Sequence, residues 1–380
     1  MVFGALSGAA WPVKNVYQMF TADPRGNGTK NTRGAFSNAP LRPHMLRLSD
    51  HIGVQAGSLP KLGLAWVCHR WTVDMHSASL GFDFSLGGWA SMVVLRDLFL
   101  MVFVCGLWDW LLYFSPLKQR LAKYKLSSQY PDLAQFRRDA FWTLSATLLG
   151  SLQEVLMMRW WASGSFVAAP FGSAPAGEER VPWNVPFFGT EETADFSLRA
   201  PFGDYALHFH PHTLGFLLWT ATMFYWRITH FYFLHRGMHP WFDRKAGLAQ
   251  GDIGAFLYRW VHAHHHKSYN PTAFSGISMT PVESIGYLSA ALIPLLFRSG
   301  CHPFIVLYTK LDLVIGAQIG HDGFDEPGGA SYYHQLHHAH FECNYGDAAV
   351  PLDWLFGTFE DGSRWAGSDA GHMAPEKKIR

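Results

Sequence analysis

Histidine is the residue type in this chain with the clearest capacity for chemistry. There are 21 histidines among 380 residues, and the stretch HAHHHKSYNPT at 262–272 has four in its first five positions. Residues three and four apart share one face of an α-helix. We therefore predict that three histidine clusters each present their imidazoles on one helical face. The clusters are His235-x-x-x-His239, His262-x-x-His265-His266 and His334-x-x-His337-His338.

A set of imidazoles this large predicts a site for more than one metal ion. Neutral imidazole binds zinc, copper, iron and nickel, and eight or more ligands exceed the four that a zinc site takes. Soluble di-iron bundles use glutamates with Glu-x-x-His pairs, and no such motif accompanies these clusters. A random chain of this composition would hold roughly 0.06 His-x-x-His-His motifs. The pattern favours a pair of irons held by imidazoles beside a membrane.

The composition predicts a surface that faces lipid. Hydrophobic residues make up 49% of the chain and charged residues 16%, against about 25% charged in a typical soluble domain. The formal net charge of +1 argues against nucleic acid as a partner, because neutralising phosphates requires clustered Lys and Arg. None of the four cysteines forms a Cys-x-x-Cys pair, so neither a zinc knuckle nor a thioredoxin-like motif is indicated.

Several apolar stretches approach the length of about 20 residues that a bilayer requires. We predict an all-α integral membrane protein with about four transmembrane helices and a cytosolic histidine-rich helical cap. Charged residues interrupt most of these stretches, and we expect them to face protein instead of lipid. The stretches are 91–114, 139–161, 207–234 and a helical hairpin of 284–299 with 303–320.

The charges of two connections between the apolar stretches predict how the protein is oriented in the membrane. The connection 115–138 has six Lys or Arg and one acid, whereas 162–206 has two Arg and six acids. The positive-inside rule places the first connection in the cytosol and the second on the far side, so the histidines lie on the cytosolic side. Lys377 and Lys378 resemble a dilysine retrieval signal of the endoplasmic reticulum, and an ordinary basic tail is the alternative. We predict a multi-pass protein of that membrane.

The chain divides into four predicted segments, and no cleaved signal peptide is indicated. Residues 1–90 form a flexible N-terminal region, and 91–204 hold the N-terminal membrane helices with a Pro/Gly-rich lumenal loop. Residues 205–360 form the catalytic domain, and 361–380 a C-terminal tail.

Further motifs accompany the histidines: NPTAFSG at 270–276, PVE at 281–283, NYG at 344–346 and PLDWLFGT at 351–358. Together with the clusters they resemble the sterol desaturase/fatty acid hydroxylase superfamily over residues 205–360. The resemblance implies an integral membrane di-iron oxidase that uses O₂ to attack an unactivated C–H bond of a lipid. The product is an alcohol or an alkene.

The resemblance also implies which residues hold the metals. His321, in IGHDGF, corresponds to a ligand that precedes the last cluster, whereas His264 has no ligand position. His208, His210 and His212 lie at the other end of the third apolar stretch, about 35 Å away if that stretch is helical. The implied ligands are His235, His239, His262, His265, His266, His321, His334, His337 and His338.

The implied reaction requires two irons, O₂ and two electrons per turnover. The chain has no haem-binding HPGG motif, no Rossmann GxGxxG motif and no iron–sulfur cysteine set. We therefore expect a separate electron donor, cytochrome b5 or a similar protein. Asp322, Glu342 and Asp347 are candidates to orient ligand imidazoles, with plain surface charge as the alternative, and no catalytic residue beyond the ligands is indicated.

The predicted function is O₂-dependent oxidation of a bilayer lipid. Sterol desaturation of the C5 type is the leading hypothesis, because NPTAFSG and PVE are most similar to that branch. Hydroxylation of a fatty acyl, sphingoid or carotenoid chain is the alternative within the superfamily. A histidine-rich metal transporter and a catalytically inactive scaffold are the alternatives from other classes. Transporters place histidines within spans or irregular loops, which the fixed spacing here disfavours.

Overall fold

The computed structural model describes residues 48–76, 81–127, 129–162, 197–199, 206–208, 213–242, 247–297, 303–325, 330–347 and 349–362. These residues are mostly helical, as predicted. One antiparallel ribbon, β1 (Ser197–Arg199) with β2 (Ala206–His208), departs from the all-α expectation. Most of the connection 162–206, the hairpin connector and the C-terminal dilysine lie outside the described residues.

Three long helices form where apolar stretches were predicted, and a fourth, α1 (Leu48–His76), lies outside those stretches. The three are α2 (Trp89–Asp109), α4 (Leu133–Ala162) and α5 (Thr213–Gly237); the four-residue α3 (Lys118–Leu121) lies between α2 and α4. Among the described helices, α2 with its π-helical continuation Trp110–Phe114 is the one long and apolar enough to cross a membrane. The structure therefore does not confirm four spans.

The C-terminal half is built from short helices whose α-geometry is repeatedly interrupted. Thr280 accepts a hydrogen bond from the Glu283 N–H and Pro281 follows it, so the start of the helix at Pro281 is firmly set. The elements are α6 (Ile253–Leu257) with the π-helix Tyr258–His262, the 3₁₀ turns His265–Lys267 and Ala273–Ser275, α7 (Pro281–Leu288) with the 3₁₀ segment Ser289–Leu296, α8 (Pro303–Gly316) with the 3₁₀ turn Ala317–Gly320, α9 (Ala330–His340) and α10 (Leu352–Leu355).

Charged residues inside the apolar helices pair with one another. Arg96 on α2 bonds Glu154 on α4 at 2.6 Å. Lys310 on α8 contacts both Glu154 and Asp97. All of these carboxylates are buried, and a buried charge is tolerated when it is paired. The residues that interrupt the sequence's apolar stretches therefore hold α2, α4 and α8 together.

The prediction that residues 1–90 are flexible is wrong for the second half of this region. Residues 48–76 form α1, which packs on α8 through the buried Ala65 and Cys68, and α2 begins at Trp89. Pro60 and scattered polar residues hide α1 from a search for apolar runs. Residues 1–47 lie outside the described residues.

Candidate metal centre

Four parts of the chain bring all nine predicted ligands into one buried region. The first pair lies at the C-terminal end of α5, where His235 is in the last turn and His239 follows the helix. The second cluster follows α6, the third lies on α9, and His321 follows the 3₁₀ turn after α8. Each of the nine side chains is at least 94% buried.

The nine imidazoles form two groups, each with its ligand nitrogens within 4.8 Å of one another. The first group is His235, His239, His262, His266 and His337. The second group is His265, His321, His334 and His338.

Each His-x-x-His-His cluster contributes to both groups. On α9, His334 and His338 are four residues apart and face the second group, whereas His337 faces the first. The other cluster is not a regular helix, because a π-helix ends at His262 and a 3₁₀ turn begins at His265. The expectation of one shared α-helical face is therefore wrong for residues 262–266, although all three imidazoles reach the site.

Hydrogen bonds fix the tautomers in the first group. The Nδ1 atoms of His235 and His337 lie 2.6 and 2.7 Å from the carbonyl oxygens of Tyr345 and Cys343. A carbonyl oxygen only accepts, so each Nδ1 carries the proton. His262 Nδ1 donates in the same way to Glu283, at 2.7 Å. The Nε2 atom of each of these neutral imidazoles is therefore a free lone pair.

Two of these lone pairs point at each other. The Nε2 atoms of His235 and His262 are 3.0 Å apart, and His266 Nε2 lies 2.9 Å from His262 Nε2. Two lone pairs cannot share a hydrogen bond, so the contact is repulsive unless a cation lies between them. Neighbouring ligands at right angles on a metal, with bonds of about 2.1 Å, lie about 3.0 Å apart. The first group fits a metal ion.

A backbone hydrogen bond also fixes the tautomer of one imidazole in the second group. His321 Nδ1 donates to the Ala317 carbonyl at 2.7 Å, which leaves its Nε2 as a lone pair. That atom lies 2.9 Å from His334 Nε2 and 3.2 Å from His265 Nε2. His338 completes the group, with its ring 4.8 Å from that of His265. An imidazole-only set of this kind suits iron, zinc or copper.

Burial keeps the imidazoles neutral, which metal coordination requires. Loss of hydration lowers the pKa of His262 to about 3 and that of His321 to about 4. The pKa values of His266 and His337 are also well below the ordinary value, first because of burial and then because of neighbouring imidazoles. The site therefore presents uncharged nitrogen ligands at neutral pH.

A strained loop supplies the two carbonyls that hold His235 and His337. Phe341 and Asn344 have φ angles of 68° and 52°, a left-handed conformation that is uncommon outside glycine. It directs the Cys343 and Tyr345 carbonyls toward the imidazoles.

Asp353, in the PLDWLFGT motif, clamps this loop. Its carboxylate accepts hydrogen bonds from the backbone N–H groups of Tyr345 and Gly346, at 2.8 and 2.7 Å. The hydroxyls of Tyr333 and Thr358 also donate to it, at 2.7 and 2.6 Å. The NYG and PLDWLFGT motifs therefore act through the backbone, by fixing two ligand imidazoles.

Two aspartates in the apolar helices hold the NPTAFSG loop. Asp139 on α4 accepts from the hydroxyls of Ser268, Ser275 and Ser278, at 2.8 to 3.1 Å. Asp109 on α2 accepts from the Ala273 N–H at 2.8 Å. Sequence reasoning missed both, and the available signal was an acid within an apolar run.

Glu283, in the PVE motif, is the carboxylate that orients a ligand imidazole. The predicted candidates bond other groups instead. Asp322 accepts from Trp108 at 3.0 Å, Glu342 from the Tyr345 hydroxyl at 3.0 Å, and Asp347 from the Ala349 N–H at 2.7 Å.

The other histidines lie apart from the two groups, as far as the structure describes them. His264 packs edge-on against Trp142, with ring centroids 4.8 Å apart, and belongs to neither group. His208 lies in β2 opposite Ser197. His210 and His212 lie outside the described residues.

A cavity of about 140 Å³ adjoins both groups. His235 and His262 of the first group line it, as do His265, His321 and His334 of the second. Its walls are largely apolar side chains, half of them from α5, and Glu283 of α7 also reaches it. The apolar lining includes Phe224, Ile228, Phe231, Leu234, Met238, Met279, Tyr287 and Ile319.

Known proteins share this region of the chain. The chain is 30% identical to the Delta(7)-sterol-C5(6)-desaturase of Nicotiana tabacum over 116 aligned residues. These residues are 28% of this chain and 41% of the relative. It is 28% identical to human cholesterol 25-hydroxylase over 121 residues, 28% of this chain and 43% of the relative. It is 27% identical to the very-long-chain aldehyde decarbonylase GL1-11 of Oryza sativa subsp. indica over 143 residues, which are 34% of this chain and 48% of the relative.

The matched part spans less than half the length of each of these relatives. No solved structure matches the chain. The family model described as fatty acid hydroxylase matches residues 213–358, the segment that contains all nine candidate ligands, the clamped loop and every cavity-lining residue except Lys61. The match confirms the similarity of residues 213–358 to the sterol desaturase/fatty acid hydroxylase superfamily.

Proposed function

We propose that this protein is a membrane-bound di-iron oxidase that uses O₂ to oxidise a C–H bond of a lipid. The observation that carries the proposal is the convergence of imidazole lone pairs in two adjacent buried groups beside one apolar cavity. Relatives named as desaturase, hydroxylase and decarbonylase support lipid oxidation as the general chemistry.

The ligands of the two irons would be the nine histidines of the two groups. When bound, the irons supply the redox chemistry that activates O₂ and oxidises an unactivated carbon. The protein holds the ligand tautomers through Glu283 and the Ala317, Cys343 and Tyr345 carbonyls. The apolar cavity excludes water and positions the substrate. We propose that a separate protein, cytochrome b5 or similar, supplies the electrons.

We propose that the protein lies in the endoplasmic reticulum membrane, with several spans and the histidines on the cytosolic side. The helix Trp89–Phe114 supports membrane insertion, and large apolar side chains on it and on α4 are exposed. They include Leu95, Phe99, Phe103, Phe141 and Leu148. In water such a surface would be an association hazard, whereas in a bilayer it is solvated by lipid.

Within this function, sterol desaturation of the C5 type is the first candidate. It is supported by the NPTAFSG and PVE motifs and by the sterol desaturases among the relatives. Lipid hydroxylation is the second candidate, and the hydroxylase relative favours it. The inward-facing ligands beside a cavity argue against a metal transporter, which needs a path through the protein.

The test is expression in a host that lacks sterol C5-desaturase, followed by mass spectrometry of extracted lipids. We expect the Δ5,7-diene to reappear. A hydroxylated acyl or sphingoid species with unchanged sterols would contradict the desaturase assignment in favour of hydroxylation. Iron-replete protein with a supplied electron donor that oxidises neither sterols nor acyl lipids would contradict the oxidase proposal for these substrates.

A further inference from the structure

Two cations meet at one end of the cavity. Arg227 on α5 and Lys61 on α1 both line it. Both pair with the buried Asp312 on α8: Arg227 Nε lies 2.6 Å from Asp312 Oδ2, and Lys61 Nζ contacts Oδ1. These residues are up to 251 positions apart in the chain, so no local motif reveals the pair.

Arg227 has hydrogen-bond donors at this end of the cavity that its contact with Asp312 does not use. A guanidinium has five N–H donors, and in the described part of the chain the Nη groups of Arg227 donate no hydrogen bond. Arg227 is 8% exposed, and its guanidinium lies over the Phe224 ring at 5.3 Å. Buried donors of this kind favour an acceptor from a ligand.

The charges also leave room for an acceptor. Among the described residues, Asp312 is the carboxylate in contact with both cations, and the two acids that line the cavity are Glu283 and Asp347. The Tyr287 hydroxyl is already used, because it donates to the Leu313 carbonyl at 3.0 Å. An ionisable residue within an apolar helix marks a functional site more often than a structural one.

The same face of α5 connects this end of the cavity to the metal centre. Arg227, Phe231 and His235 are four residues apart and all line the cavity. The rise of an α-helix places the first and last about 12 Å apart along its axis. An extended alkyl chain covers that distance with roughly ten carbon–carbon bonds of about 1.5 Å each.

We propose that Arg227 and Lys61 bind an oxygen acceptor of the substrate's polar end, and that oxidation occurs about two helical turns from it. The inference rests on the proposed lipid oxidase function and specifies how the substrate is held. A fatty carboxylate and a sterol hydroxyl both offer such an oxygen. C5 of a sterol is only two bonds from the carbon that bears the hydroxyl, so it does not span the distance. A sterol held here by its hydroxyl is oxidised far from that group, so the anchor favours the hydroxylation candidate over C5 desaturation.

Binding to the purified full-length protein in detergent tests the anchor without turnover. The probes are palmitic acid against hexadecane, and cholesterol against 5α-cholestane. We expect one oxygenated lipid to bind at least tenfold more tightly than its hydrocarbon, and the pair that responds identifies the head group. Arg227→Leu should abolish the difference, Arg227→Lys should keep part of it, and the matched control Arg120→Leu, at an exposed position, should leave it unchanged.

Iron content and thermal unfolding report whether each variant folds. If Arg227→Leu does not fold, Lys61→Met is the second variant to test. Equal binding of both members of each pair to the wild type would overturn the anchor. Unchanged discrimination in folded Arg227→Leu and Lys61→Met would also overturn it. Restored C5 desaturation, whether or not it survives Arg227→Leu, would do the same while leaving the oxidase function intact. Arginine-dependent binding by a protein without iron or turnover would support the anchor and contradict the oxidase.

Discussion

At the residue scale, the least expected feature is that neighbouring histidines belong to different imidazole groups. His265 belongs to the second group although His266, the next residue, belongs to the first. A motif read along the chain is therefore not the ligand set of one ion.

Single substitutions should consequently remove the irons separately. We expect His337→Ala to lose mainly the first-group iron and His265→Ala mainly the second-group iron, so that each variant retains about one of two. Iron analysis with Mössbauer spectroscopy measures this. His264→Ala is the matched control, since that ring lies outside both groups and both irons should remain. Full iron in both ligand variants would refute the assignment.

Glu283 offers a graded test at the same scale. Glu283→Gln keeps an oxygen that accepts from His262 Nδ1 but removes the negative charge, and Glu283→Ala removes both. Loss of such a partner typically costs 10–100-fold in metal affinity. We expect a modest loss of iron affinity for Gln and a larger one for Ala, confined to the first group. A competition titration with a chelator measures it, and equal affinity in all three proteins would exclude the role.

At the element scale, the loop 341–346 links the C-terminal motif to the metal ligands. Asp353→Asn places an amide NH₂ against backbone N–H donors, so at least one buried donor loses its acceptor. We expect destabilisation of about 1–3 kcal/mol and preferential loss of the first-group iron. Chemical unfolding and iron content check both effects.

The control for that substitution is Asp132→Asn. Asp132 is exposed and accepts from the Gln135 N–H at the start of α4, and asparagine is an equally good N-cap. An Asp353→Asn protein with wild-type stability and iron would show that the clamp is dispensable.

Gly254 tests the packing of α6 against the end of α5. A Cβ at this position would lie 2.1 Å from the His239 carbonyl oxygen and 2.4 Å from the Trp241 ring. We expect Gly254→Ala to destabilise the protein by about 1–3 kcal/mol, as overpacking does, and to weaken iron binding through His239. The control Gly63→Ala, on α1 with nothing within 4 Å of the added Cβ, should be neutral or stabilising.

Sequence reasoning predicted the positions of α2, α4 and α5 because apolar runs are visible locally. It also selected the nine histidines that the structure gathers into two buried groups, because histidine spacing is local; their role as metal ligands stays a prediction. It missed α1, whose polar residues and Pro60 mask its packing on α8. It missed Asp109, Asp139 and the Arg227–Lys61 pair, because their partners lie far away in the chain. The Cys343 and Tyr345 carbonyls are backbone atoms, which a search for reactive side chains does not find.

At the scale of the whole molecule, the proposed topology makes a prediction about access. A protease-sensitive tag inserted at the exposed Gln119, in the basic connection, and one at the C-terminus should both be cleaved in intact microsomes. A tag near residue 180 should be protected, because the acidic connection is proposed to be lumenal. Lys125 is a poor insertion point because it is 2% exposed. Cleavage of the residue-180 tag in sealed vesicles would refute the orientation.

The interleaving of the two groups also has a consequence for biosynthesis. When the ribosome has added residue 333, the chain holds four of the five ligands of the first group and two of the four of the second. Both sets are completed by the same turns of α9, within five residues of synthesis. Stable loading of both metals is therefore a late event that follows synthesis of nearly the whole domain, and a chain truncated before α9 cannot retain the pair.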